Sequence, residues 1–244
     1  MHEGRLAVDI ETASPNGPPS DFRDTDDFEL VAVGLGHRVG DGVTDADPEV
    51  EVEVLLRDGD WSLAHTADLL RRVVEWCEAR GGGVVTYNGE YFDEHHLRAW
   101  ADRVADAGVW ADAPRRIDAL FADHLDLGTL AAEAYPGAVR ANRDIPALWK
   151  ACEEAGVDQP TVWYDDYDLP AGYLKRLGVE DGHVKGAHVG EALGEAYVEG
   201  VVAGLDHTRT HAELTRLLVD YAAGDIEPLF SLRDALRRTD ASAD

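Results

Sequence analysis

The sequence predicts an α/β fold, a single mixed sheet with helices on its faces, from three observations. Three strand-like segments joined by polar loops open the chain. Helix and strand patterns then alternate, and helical patterns dominate from about residue 144 onward. That order sets an antiparallel three-strand meander beside parallel strands. No flexible linker interrupts the chain, so residues 1–244 read as one domain with a less regular insert around 156–185.

Leu6–Ile10 is apolar except for Asp9, Leu30–Leu35 alternates partly with small residues, and Val50–Leu56 alternates Val or Leu with Glu, so each reads as a strand. The loops between them are Ser14–Asp27, rich in Pro, Gly and Asp, and the turn cluster VGDGVTDADP that begins at Val39. Thr66–Arg80 carries the stripe Leu69, Leu70, Val73, Val74 and Cys77 of an amphipathic helix, which Gly81–Gly83 stops. Val84–Tyr87 reads as a short strand, Asp93–Ala107 as a helix and Arg116–Phe121 as a fifth strand. Helices are expected over Asp144–Ala155, Gly190–Gly204 and Thr208–Ala223. Gly156–Lys185, with Pro160, Pro170 and the cluster Trp163–Asp168, is irregular.

The chain has 244 residues, 45% hydrophobic, with 49 acids, 22 bases and a formal net charge of -27. That hydrophobic share builds a globular core and excludes a disordered acidic tail, a collagen-like chain or a disulfide scaffold. No apolar run of about 18 residues is available to span a membrane, and the start, MHEGRLAVDI, lacks the basic and apolar pattern of a secretory signal. Cys77 and Cys152 stand far apart without metal-ligand spacing, which fits a reducing, cytoplasmic compartment. The only lysines are Lys150, Lys175 and Lys185. An acidic, lysine-poor surface is expected of a protein adapted to a salt-loaded cytoplasm, where self-repulsion is screened. Taken alone, the charge speaks against an extended basic face for nucleic acid.

Chemistry-bearing residues fall in three places. Asp9 and Glu11 share one face of the first strand, because side chains at i and i+2 do. Two carboxylates so close repel unless a cation lies between them. Other Asp-x-Glu pairs exist at Asp27/Glu29, Asp47/Glu49 and Asp225/Glu227, but only Asp9 and Glu11 directly follow an apolar run. The second place is TYNGEYFDEHHL, residues 86–97, a strand-to-helix turn carrying Asn88, Phe92 and Asp93. Asp93 reads either as a helix cap or as a site carboxylate. His95 and His96 point about 100° apart on a helix, so they read as solvated or supporting groups rather than a metal pair. The third place is a late helix on which Asp225 follows Tyr221 by four residues on the stripe of Leu214, Leu217 and Leu218. Here too a cap reading is open, since Gly224 can end one helix and Pro228 can lie early in the next. Tyr164 and Asp168 repeat the spacing but lie between Pro160 and Pro170, off any helical pattern. Asp123 and Asp126 read as site neighbours or as caps. His183, Lys185 and His188 read as surface residues, with phosphate contact as the other reading.

Taken in order, Asp9-Ile10-Glu11-Thr12, Tyr87-Asn88 with Phe92-Asp93, and Tyr221 with Asp225 resemble the motifs of the DEDDy exonucleases. More narrowly, they are similar to the proofreading 3'–5' exonuclease domain of family B DNA polymerases, in a salt-adapted, haloarchaeal-like version. The resemblance spans nearly the whole chain and implies a ribonuclease H-like fold, without room for a polymerase palm or fingers. It implies a metal-dependent 3'–5' exonuclease acting on a single-stranded nucleic-acid 3' end, DNA ahead of RNA, through two Mg²⁺ or Mn²⁺ ions. In that reading Asp9, Glu11 and Asp225 hold the ion that activates water, and Asp9 bridges to a second ion that Asp93 helps to hold. Tyr221 orients the water, and Asn88 and Phe92 serve substrate binding. Cleavage polarity rests wholly on the resemblance. A protein partner stays open, no membrane is expected, and the alternative is a catalytically silent nucleic-acid- or partner-binding module on the same fold.

Overall fold

The computed structural model describes residues 5–39 and 50–240. Five strands, β1 (Arg5–Ala13), β2 (Glu29–Arg38), β3 (Val50–Leu56), β4 (Gly83–Thr86) and β5 (His124–Asp126), form one sheet in the order β3-β2-β1-β4-β5. β1, β2 and β3 pair antiparallel, and β4 and β5 run parallel to β1. This is the mixed sheet that the sequence predicts, with helices on both faces. Most of the turn cluster that begins at Val39 lies outside the described residues.

Strand alternation decides which helices each face receives. Leu6, Val8 and Ile10 enter one core with α1 (Leu63–Arg80), α2 (Asp93–Asp106) and α3 (Ala113–Leu120), where Leu70, Leu97, Trp100 and Ile117 are fully buried. Ala7 and Val85 face the opposite way, onto α4 (Leu127–Ala134) and α5 (Leu148–Ala155). Two one-turn helices follow, α6 (Tyr173–Arg176) and α7 (Gly186–His188). A π-helical turn over Val189–Leu193 then leads into α8 (Gly194–Val202). α9 (Arg209–Gly224) and α10 (Glu227–Asp240) complete the second face. Leu214, Leu217 and Leu218 of α9 pack with Val31 and Ala32 of β2, while Ile226 and Phe230 pack with Ala7. No helix among the described residues is long and apolar enough to cross a membrane.

Two expected elements change. Arg116–Phe121 is not a strand; it belongs mostly to helix α3, which Pro114 starts and whose Ile117 buries one turn after Ala113. The fifth strand is instead His124–Asp126. The helix expected from Asp144 begins at Leu148, because Pro146 holds the chain before it extended. The 156–185 stretch is irregular as expected, with only the 3-10 turn Tyr164–Asp166 and α6 as helical elements in it. Tyr164, Tyr167, Val179 and Val184 are buried with α8 and α9.

Candidate functional site

Asp9 and Glu11 project on the Ala7 face of β1, toward α9 and α10; Glu11 is buried and Asp9 half-buried. Across the sheet Asp9 pairs with Gly34. A side chain there is excluded: a Cβ on Gly34 would lie 2.9 Å from the Ala222 carbonyl oxygen and 2.9 Å from Cγ1 of Ile226. The junction of α9 and α10 therefore rests directly on the β2 backbone. α9 ends at Gly224, Asp225 caps it, and α10 begins at Glu227 with Pro228 in its first turn. Asp225 is thus the C-cap of α9 and not the cap of the next helix, which starts two residues later. One carboxylate oxygen from each of Asp9, Glu11 and Asp225 lies within 4.8 Å of the others.

Asp93 opens α2 and is 3% exposed. Its Oδ1 accepts a hydrogen bond from the Ile10 N–H at 2.9 Å, which ties the helix start to β1 between the two strand carboxylates. The turn before it needs a left-handed residue. Asn88, at φ 65°, is the only non-glycine among the described residues with positive φ. Asp126 braces that turn, its carboxylate accepting from the N–H groups of Asn88 (2.8 Å), Glu90 (3.0 Å) and Gly128 (2.8 Å). Asp126 is thereby the cap of α4 and the support of the Asn88 turn at once.

The electrostatics are those of an acidic site lacking a counter-charge. Burial, followed by repulsion from Asp93, Glu11 and Asp225, pushes Asp9 well above the usual carboxylate range. Burial and the charges of Asp225 and Asp93 do the same to Glu11. Burial raises Asp93 to about 7, against the opposing pull of its backbone hydrogen bonds. Burial raises Asp225 to about 6, opposed by the hydrogen bond that Gln159 Nε2 donates to its Oδ1 at 2.6 Å. Among the described residues no Arg, Lys or His offsets any of the four. Tyr221, one turn before Asp225, stays protonated because burial and the same carboxylates oppose its ionisation. An all-carboxylate donor set of this kind suits a hard divalent cation such as Mg²⁺ or Mn²⁺.

Two clefts meet near this site. One, of about 930 Å³, is lined by Trp149, Gln159, His183, Lys185, Tyr221 and Asp225 among others. The second, of about 800 Å³, is lined by Phe22, Asn88, Tyr91, Phe92, Arg140 and Arg143 among others, and Leu148 borders both. Four of the sequence-singled residues divide between them, while Asp9, Glu11 and Asp93 line neither. Tyr221 and Asp225 open on the first cleft, Asn88 and Phe92 on the second. The Phe92 ring also stacks edge-on against Phe28 at 5.5 Å and His96 at 4.5 Å.

Other candidates do structural work. His96 is fully buried rather than solvated. Its Nδ1 meets Thr25 Oγ1 at 2.7 Å and its Nε2 meets the Phe22 carbonyl at 3.0 Å, while His95 reaches the Arg23 carbonyl. Together they pin the 20–28 loop to α2. His188 bridges the Tyr164 hydroxyl and Asp181, Lys185 pairs with Asp181 at 2.9 Å, and His183 packs against Trp163. Asp123 pairs with Arg5 at 3.2 Å. Sequence reading missed Gln159, which lies in the irregular stretch where no periodicity marks it. Gly34 did leave a signal, the small residues alternating through β2.

No protein-family model matches the chain, and no curated protein matches it. Solved structures of exonuclease I are similar to it. One, described as suggesting how processivity is achieved, is 14% identical with a TM-score of 0.43, over 88% of this chain and 43% of that one. The zinc-bound complex of E. coli exonuclease I with single-stranded DNA is 15% identical, TM-score 0.38, over 91% and 43%. An exonuclease I/SSB-Ct complex is 16% identical, TM-score 0.37, over 89% and 44%. The chain spans less than half the length of these solved chains. At such values the chemistry of this chain rests on its own atoms.

Proposed function

We propose that the chain is a metal-dependent 3'–5' exonuclease of the DEDDy type, hydrolysing phosphodiester bonds at the end of a single strand, DNA ahead of RNA. One observation carries the reading. Four carboxylates without a basic partner, Glu11 and Asp93 buried and Asp9 and Asp225 half-buried, gather where Asp225 borders a cleft, three of them with oxygens within 4.8 Å of one another. Burying such a group without compensation opposes folding, so the arrangement makes sense as a cation seat. Asp9, Glu11 and Asp225 would hold one Mg²⁺ or Mn²⁺, and Asp9 and Asp93 would hold a second. When bound, two such ions stabilise charge on the attacking and leaving oxygens of a phosphodiester. Tyr221 keeps its proton and offers a hydrogen bond that orients the attacking water. Gln159 fixes one oxygen of Asp225, and the Ile10 N–H fixes one of Asp93, so both carboxylates are pre-aimed. Asn88 and Phe92 border the strand. The 3' polarity and the choice of DNA come from the motif resemblance.

The test is hydrolysis of end-labelled single-stranded DNA and RNA in concentrated KCl with Mg²⁺ or Mn²⁺, beside Asp9→Ala. The expected result is a metal-dependent ladder shortening from the 3' end, faster on DNA and absent in the variant. Equal activity in both proteins, or none at any salt concentration, would sink the reading.

A further inference from the structure

In a chain of 49 acids and 22 bases, an arginine readily finds a carboxylate. Arg38 grips Asp234, Arg80 Glu51, Arg116 Glu78 and Arg216 Glu213. Arg23, Arg71 and Arg176 lie against aromatic rings instead, and among the described residues Arg140 and Arg143 have neither kind of partner. Both are exposed, neither has an ion pair among the described residues, and both line the 800 Å³ cleft. Asp144 is the only acid among that cleft's lining residues.

The aromatic side chains of the same cleft are as unusual. Phe22 is 58% exposed and Tyr91 43%, each costly to leave in water. The backbone of both is held in place. The Phe22 carbonyl accepts from the buried His96, and the Tyr91 N–H donates to the Asn88 carbonyl at 3.2 Å. The Arg23 guanidinium lies 5.4 Å from the Tyr91 ring centre, leaving a cation on an aromatic face at the rim. Tyr91 is two residues from Asp93, so the aromatic platform and the carboxylate site share one rigid turn.

Flat rings beside unpaired guanidinium groups are what a flexible single strand of nucleic acid needs: faces for its bases and charges for its phosphates. We propose that this cleft carries the nucleotides adjoining the one hydrolysed, with bases stacked on Tyr91 and Phe22 and phosphates met by Arg140 and Arg143. The assignment rests on the nuclease reading for which end of the strand enters the neighbouring cleft. It places a local cationic track on a protein of net charge -27.

The experiment is equilibrium binding of fluorescent oligothymidylates by anisotropy across a KCl titration. It is run in EDTA, and with Mg²⁺ on a strand whose 3'-terminal linkages are phosphorothioate. Replacing both arginines (R140Q with R143Q) is expected to weaken binding ~10-fold at low salt. The slope of log affinity against log KCl should shrink by about 1.4, the share of two phosphates on a single strand. Tyr91→Ala is expected to weaken binding ~5-fold or more, the contribution of one stacked base. A second readout needs no variant: a strand carrying 5-iodouracil should photocross-link to Tyr91 or Phe22. Variants that bind like the parent, cross-links confined to the Trp149 or Trp163 side, or no oligonucleotide binding at all would each overturn the proposal. The two readings fail separately. Metal-dependent laddering with unaffected cleft variants leaves the nuclease and removes the track. Weakened binding with no hydrolysis under any condition leaves the track and removes the nuclease.

Discussion

On one face of the sheet Leu6, Val8 and Ile10 sink into a core shared with Leu70, Leu97 and Trp100. On the other, from the same strand, Asp9 and Glu11 stand against Asp225. The first face removes large apolar side chains from water, about 1.5–3 kcal/mol for each fully buried leucine. The second carries glycine and alanine where large residues would add stability, so that α9 and α10 come close enough to present Asp225. A two-residue alternation along β1 therefore separates the half of the molecule that stabilises from the half that concentrates charge. The carboxylate face, its charges unpaired, opposes folding.

Substitutions on the two faces should move activity and stability in opposite senses. The largest effect is expected from Asp9→Asn. Nuclease activity falls on the order of 10³-fold, the upper range for one electrostatic element of a site, while the metal-free protein melts a few degrees higher near pH 8. A melting point that drops with the activity would break the contrast. Leu97→Ala, on the apolar face, should cost ~2–5 kcal/mol in urea unfolding and leave turnover at 20 °C close to that of the parent. Gly34→Ala lies where the faces meet. The added methyl pushes Ala222 and Ile226 away from β2, so activity should fall ~10–100-fold, as for lost support of a metal ligand, with a smaller loss of stability. Parent-like kinetics would show that α9 and α10 need not touch β2 there.

The smallest effect is read from pH. Carboxyl groups raised in the folded state favour folding while protonated. The unfolded chain ionises first, near 4, so this contribution is lost as pH climbs through about 6 and 7, the values of Asp225 and Asp93. Melting of the EDTA-treated protein should therefore decline between roughly pH 5 and pH 8. Mg²⁺ or Mn²⁺ binding the ionised site should reverse the decline, more at pH 8 than at pH 5. A flat profile would mean that the carboxylates do not repel one another as their burial implies.

The meander, the helix with the Leu69–Cys77 stripe and the spacing of Tyr221 and Asp225 were legible because each is local: an alternation of two or a stripe of four. The same locality misled at Arg116–Phe121, where a few apolar residues fit strand or helix, and only Pro114 and the packing of Ile117 against α1 and α2 decide. Gln159 was invisible for a different reason. Its partner Asp225 lies 66 residues away, and nothing near it in the chain repeats. His95 and His96 suggested chemistry by type, yet their neighbours in space are loop carbonyls and a threonine hydroxyl, which only the folded chain brings to them.

Asp9 and Asp225 are separated by more than two hundred residues. Their meeting depends on the α9–α10 junction settling on the bare backbone at Gly34. Closing so long a loop is slow compared with forming the local helices. During synthesis, the strand carrying Asp9 and Glu11 emerges and can pair with β2 long before Asp225 leaves the ribosome. Until the junction docks, Asp9 and Glu11 stand without the third carboxylate. The three carboxylates, and the repulsion that raises Asp9 and Glu11, are therefore gathered only once the helical end of the chain is in place.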